Sequence, residues 1–95
     1  MNVRSTLSKF EYLESRRYGG DLEAADTLMD LQRAIDHSKL SSRQRLFIHQ
    51  YYVLGLTGDE IGMIHGIGRH GVANVLRRAE RKIQRIVDKW GVANV

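Results

Sequence analysis

Neither cysteine nor proline occurs anywhere in this chain of 95 residues. The lack of cysteine excludes a disulfide framework and a thiolate zinc site, and leans towards a reducing, intracellular setting. Long hydrophobic runs are also missing. Nothing approaches the ~18 apolar residues of a membrane span. The opening stretch MNVRSTLSKFEYLES carries acidic residues and no long apolar block, so it reads as neither a signal nor a transit peptide. No membrane association is expected, and the expected location is the cytoplasm. Strand-like alternation is scarce too, whereas apolar residues recur at three- and four-residue spacings. Together with the absence of proline, this places the chain in the all-α class. A length of 95 residues predicts one domain with a modest core.

The net charge of +4 is unevenly spread. Met1 to Ser38 carries five basic and seven acidic residues, whereas Lys39 to Val95 carries ten basic and four acidic. The halves are therefore −2 and +6. A basic C-terminal half suits a polyanion such as nucleic acid, and it equally suits a solvated charged face.

Apolar spacing predicts about five helices. The first spans about Thr6 to Tyr18, with Leu7, Phe10, Leu13 and Arg17 or Tyr18 on one face, and Gly19-Gly20 breaks it. Asp21 is placed to cap a second helix, with Leu22, Ala25, Leu28, Met29, Gln32 and Ile35 inward and an end near His37-Ser38. Ser41 and Gln44 have the form of a capping box. The helix they open, about Ser42 to Leu54, is apolar around most of its circumference, and such a helix is expected to be central and covered by the first two. Gly55 is placed to end it, and Thr57 to cap a short helix from Gly58 to His65. A turn at Gly66-Ile67-Gly68 leads to a long last helix, Arg69 to Trp90, ended by Gly91. Residues 1–38 thus form an N-terminal helical part and residues 39–90 a second part. The shared core is expected from Leu46, Phe47, Leu56, Ile61, Ile67, Val72, Val75 and Ala79.

Five of the nine glycines fall in the fourteen residues GDEIGMIHGIGRHG, from Gly58 to Gly71. A short helix, a glycine-containing turn and a second helix form the helix-turn-helix arrangement. Gly66 stands where a left-handed residue is wanted, and the bare position Gly62 allows the second helix to cross closely. On a helical wheel, His70, Asn74, Arg77, Arg81 and Arg85 lie opposite Val72, Val75, Leu76, Ala79, Ile83, Ile86 and Trp90. One face packs; the other bears side chains that read base edges and clamp phosphates in a major groove.

The run from Leu40 to Ile83 resembles the fourth conserved region of bacterial sigma factors. Leu40, Arg43, Arg45, Gly55, Leu56, Thr57, Glu60, Ile61, Gly66, Ile67, Val72, Arg78 and Ala79 match that pattern, within a resemblance spanning about Met29 to Ile86. The resemblance implies a DNA-binding helix-turn-helix of phage or prophage type, acting in a bacterial or infected host cell. It implies contacts from Arg69, His70, Gly71, Ala73 and Asn74. Gly71 and Ala73 stand where the family carries long polar residues, and His65 and Gly68 replace the usual leucine and serine. The expected DNA-binding set is Arg69, His70, Asn74, Arg77, Arg78, Arg81 and Arg85.

No nucleophile sits with paired carboxylates at catalytic spacing, and no enzyme, cofactor or metal is expected. His65 is expected to cap a helix end and His70 to make a polar contact. Asp59-Glu60 suits a helix start. The promoter-melting region of a complete sigma factor is not expected within these 95 residues. Three functions remain open: a double-stranded DNA-binding transcription regulator, a phage DNA-packaging recognition subunit resembling a small terminase, and a module that binds RNA polymerase. A homodimer is expected through Leu7, Phe10, Leu13 and Tyr18 or through Ile83, Ile86, Val87 and Trp90, unless these two sets pack on each other within one chain.

Overall fold

Three helix starts are written in short-range hydrogen bonds between a capping side chain and the first turn. The computed structural model describes residues 1–93 and is all-α. Ser41 Oγ accepts from the Gln44 N–H while Gln44 Oε1 accepts from the Ser41 N–H, opening α4, Ser42–Ile48. Thr57 and Glu60 repeat the arrangement at α5, Gly58–His65. Asp21 caps α3, Leu22–His37, through its bond to the Ala24 N–H. These are the predicted caps; each satisfies backbone donors that a helix start leaves open.

The first predicted helix is two. Asn2 caps α1, Val3–Ser8, and the chain bends at Lys9 into α2, Phe10–Tyr18. The bend lets α1 pack on α6, Arg69–Ala93, while α2 packs on α3. A single straight helix could not serve both. The hydroxyls of Thr6 and Ser8 donate to the carbonyls four residues back, a pattern that bends helices. The helix count is therefore six among the described residues. α6 also runs through Gly91 to Ala93 rather than ending there.

The central element is α6, and not the Ser42–Leu54 helix. Val72, Leu76, Ala79 and Ile83 form its buried stripe, and α1, α3, α4 and α5 all pack on it. The core also takes Val3, Leu7, Leu31, Ala34, Leu40, Phe47, Ile48 and Ile61, with Leu56, Ile67 and Val75 half-buried against it. Three polar residues of α6 each tie down a neighbour. Glu80 accepts the Tyr52 hydroxyl at 2.8 Å, Lys82 donates to Gln44 at 3.0 Å, and Gln84 accepts the Val3 N–H at 2.8 Å.

α4 does not continue as an α-helix to Leu54. It widens into a π-helical turn, His49–Val53, in which the Leu54 N–H reaches back to the His49 carbonyl. The turn shifts the facing of the residues after Ile48. Leu46, expected in the core, is 43% exposed, and Tyr51, Val53 and Leu54 are exposed as well. The inner face of α3 differs too. Ala24, Leu28, Leu31 and Ala34 are buried, Ala25 and Ile35 half-buried, and Leu22, Met29 and Gln32 exposed. The inward stripe passes through Leu31 and Ala34 because α3 leans on both α2 and α6. Leu7 and Ile83 are buried in one core, against which Ile86, Val87 and Trp90 pack, with the Trp90 ring edge-on to His37 at 5.8 Å. The two apolar sets considered for a dimer are thus largely used within the chain, Tyr18 excepted.

Lys39 follows α3 with φ 54°, the one non-glycine residue in left-handed backbone among the described residues. That conformation costs an L-residue about 1–2 kcal/mol. Lys39→Gly is expected to raise stability by up to about 1 kcal/mol in urea unfolding. In the same assay Ile83→Ala, at a fully buried site, is expected to cost about 2–5 kcal/mol. Leu22→Ala, at an exposed one, should stay within about 0.5 kcal/mol of the parent.

Candidate nucleic-acid interface

The α5–turn–α6 unit is held by backbone constraints. Gly66 ends α5 in left-handed conformation, φ 69° and ψ 32°. The Ile67 N–H then donates to the Gly62 carbonyl at 2.9 Å. A Cβ on Gly62 would collide with the Ile67 carbonyl oxygen. The bare position therefore admits the turn, rather than the body of the second helix as the spacing suggested. Ile61, Phe47 and Val72 fill the angle beneath, all essentially without solvent contact. Gly71 belongs to the same packing, because a Cβ there would meet Ile67 Cδ1 at 3.3 Å.

His65 is not a helix-end cap. Its Nε2 lies 3.0 Å from Gln50 Oε1, and its ring stacks obliquely on Phe47 at 4.7 Å. The Arg43 guanidinium sits 5.3 Å from the Phe47 ring centre. The π turn carries Gln50 and so braces α5. No local sequence signal announced this contact, because it depends on the widened helix.

Arg69, His70, Asn74, Arg77, Arg78, Arg81 and Arg85 are all exposed on α6. Asn74 Oδ1 lies 3.5 Å from Arg77 Nη1, at the outer limit of hydrogen bonding. Among the described residues, none of these five arginines is ion-paired with a carboxylate. Glu80, the one acidic residue between Arg69 and Arg85, is turned inward, its side chain 14% exposed. The exposed face of α6 over this length therefore carries five arginines and no exposed carboxylate. Lys82 differs from the rest of the series in being tied to Gln44. Ala73 is exposed but offers a hydrogen-bonding partner nothing beyond a methyl group.

A residue outside the expected set also reaches this region. Arg4 Nε lies 3.9 Å from Glu80 Oε1. The sequence holds no local cue for it, since the approach follows from the packing of α1 on α6. No helix among the described residues is long and apolar enough to cross a membrane. No family model, curated protein or solved structure matches the chain.

Two results are expected from this geometry. Gly62→Ala should cost about 1–3 kcal/mol by overpacking the turn, measured by chemical denaturation; an unchanged midpoint would contradict the close approach. Glu60 is held below its ordinary carboxyl value of 4.5 by hydrogen bonds from the Thr57 backbone and side chain. Its charged form is favoured in the folded state, so its contribution is complete above pH 4.5 and is lost as pH falls through the lower folded value. An NMR titration should place the Glu60 midpoint below 4.5, and Glu60→Gln should flatten the acid side of the melting profile.

Proposed function

We propose that the chain is a sequence-specific, double-stranded DNA-binding transcription regulator of the sigma region 4-like helix-turn-helix type, with α6 in the major groove. The observation that carries this reading is the exposed α6 face, which bears five unpaired arginines and no exposed carboxylate from Arg69 to Arg85. A helix with side chains is about 10–12 Å across and the major groove about 12 Å wide. Arg69, His70 and Asn74 occupy the first turns of α6, the part of a recognition helix that meets base edges. Arg77, Arg78, Arg81 and Arg85 lie farther along and suit phosphates. The fixed α5–turn–α6 angle supports the reading, because it holds α6 against α5 and leaves its arginines in solvent.

A protein partner is favoured by a separate observation. Met63 is 84% exposed, and Ile64 and Leu54 are also open to solvent. Exposed apolar side chains of this kind suit RNA polymerase or another protein bound alongside DNA. A lone unit of this size covers about one half-site, and light scattering tests whether a second copy takes part.

Duplex affinity should fall with salt, with a log–log slope of about −4.5 if about five phosphates are neutralised. Arg81→Ala should weaken binding to all duplexes alike. Asn74→Ala should reduce the preference for a selected site by about 1–3 kcal/mol. Equal loss on selected and random duplexes would remove base reading from Asn74, and absence of duplex binding at low salt would overturn the proposal.

A further inference from the structure

Beside the exposed face of α6 lies a groove of about 310 Å³, walled by α1, the π turn and the first half of α6. Arg4, Arg69 and Arg77 line it together with Tyr51, Tyr52 and Glu80. Three arginines and a single carboxylate therefore line one groove. That carboxylate is directed inward and occupied, accepting the Tyr52 hydroxyl at 2.8 Å and facing Arg4 at 3.9 Å. Burial and the neighbouring Glu80 push the Tyr52 phenol above its ordinary value of 10.0, so it stays a donor. The Arg4 side chain is 81% exposed, and it approaches Glu80 through its Nε. Arg69 is exposed as well, and Arg77, also exposed, makes only the long 3.5 Å contact to Asn74 Oδ1.

The place of the groove matters as much as its charge. A helix seated in a major groove has a sugar–phosphate strand along each flank, because helix and groove are of similar width. Arg77 belongs both to the exposed face of α6 and to the groove wall, so the groove opens on one such flank. We propose that it seats a phosphodiester of the DNA backbone, and that α1 is part of the DNA-binding surface through Arg4. The N-terminal helix then does two things: Val3 and Leu7 complete the core, and Arg4, on the adjoining side of the same short helix, presents a cation to the duplex. The inference rests on the DNA-binding reading above and adds a contact from outside the α5–turn–α6 unit.

Fluorescence anisotropy of a labelled duplex of roughly 20 base pairs, about two helical turns, tests this across a salt series. Arg4→Ala should raise the Kd about 3- to 10-fold at low salt and reduce the magnitude of the salt slope by about 0.9. Arg4→Lys should keep the slope. Arg17→Ala removes the same charge from α2, outside the groove, and should leave the slope unchanged. Ser8→Glu places a carboxylate at the rim, on an exposed residue, and should weaken binding at low salt; it decides the matter if Arg4→Ala loses its melting transition. Normal binding by Arg4→Ala and Ser8→Glu, with Arg81→Ala weakened, overturns the groove contact and leaves the DNA-binding reading standing. Equal losses in Arg4→Ala and Arg17→Ala reduce the effect to net charge and overturn it as well. Failure of the unaltered chain to bind any duplex overturns both.

Discussion

Everything in this domain depends on keeping one side of α6 dry and the other wet. Val72, Leu76, Ala79 and Ile83 are buried, while Arg77, Arg78, Arg81 and Arg85, interleaved with them in sequence, remain in solvent. Four helices pack on the dry side. Burial of a Val, Leu or Ile side chain is worth about 1.5–3 kcal/mol, so this stripe sets how α6 is turned, and with it the direction in which the arginines point. A change of helix rotation would expose the stripe and bury charge, at a cost of several kcal/mol for each unpaired cation.

The local instructions were the most legible part of the chain. Ser41, Thr57 and Asp21 cap where their spacing predicts, and Gly66 is left-handed. These features need only three or four neighbouring residues. The features that escaped sequence reading depend on distant partners. The bend at Lys9 exists because α1 and α2 answer to different helices. The π turn rotates Tyr51, Val53 and Leu54 out of the facing that an unbroken α-helix would give them, because it fits an extra residue into one turn. No residue type marks such a turn. Lys39 carries a backbone conformation usually given to glycine, and its type conceals it. For the candidate site, the exposed series along α6 was legible from periodicity alone, whereas the approach of Arg4 to Glu80 was not.

The polar ties along α6 also explain how a small core can hold a fixed geometry. Glu80, Lys82 and Gln84 each bind a different neighbour. Each bond is worth about 0.5–1.5 kcal/mol net, modest beside the apolar stripe. Their value lies in register, for they fix where the π turn, α4 and α1 sit along the helix. Glu80 is the most consequential of the three. Turned outward, it would place a negative charge among the arginines; turned inward, it leaves that surface without a carboxylate and anchors Tyr52.

The proposed role of α6 can be read residue by residue with arginine side-chain Nε–Hε and backbone amide NMR on addition of duplex DNA. The side chains of Arg69, Arg77, Arg78, Arg81 and Arg85 and the backbone of His70 and Asn74 should shift together and saturate at one stoichiometry. The amides of Ala24, Leu28 and Leu31, on α3 away from that face, should stay in place. Shifts centred on α2 and α3, or no saturable shift along α6, would contradict the assignment of α6 as the DNA-contacting element.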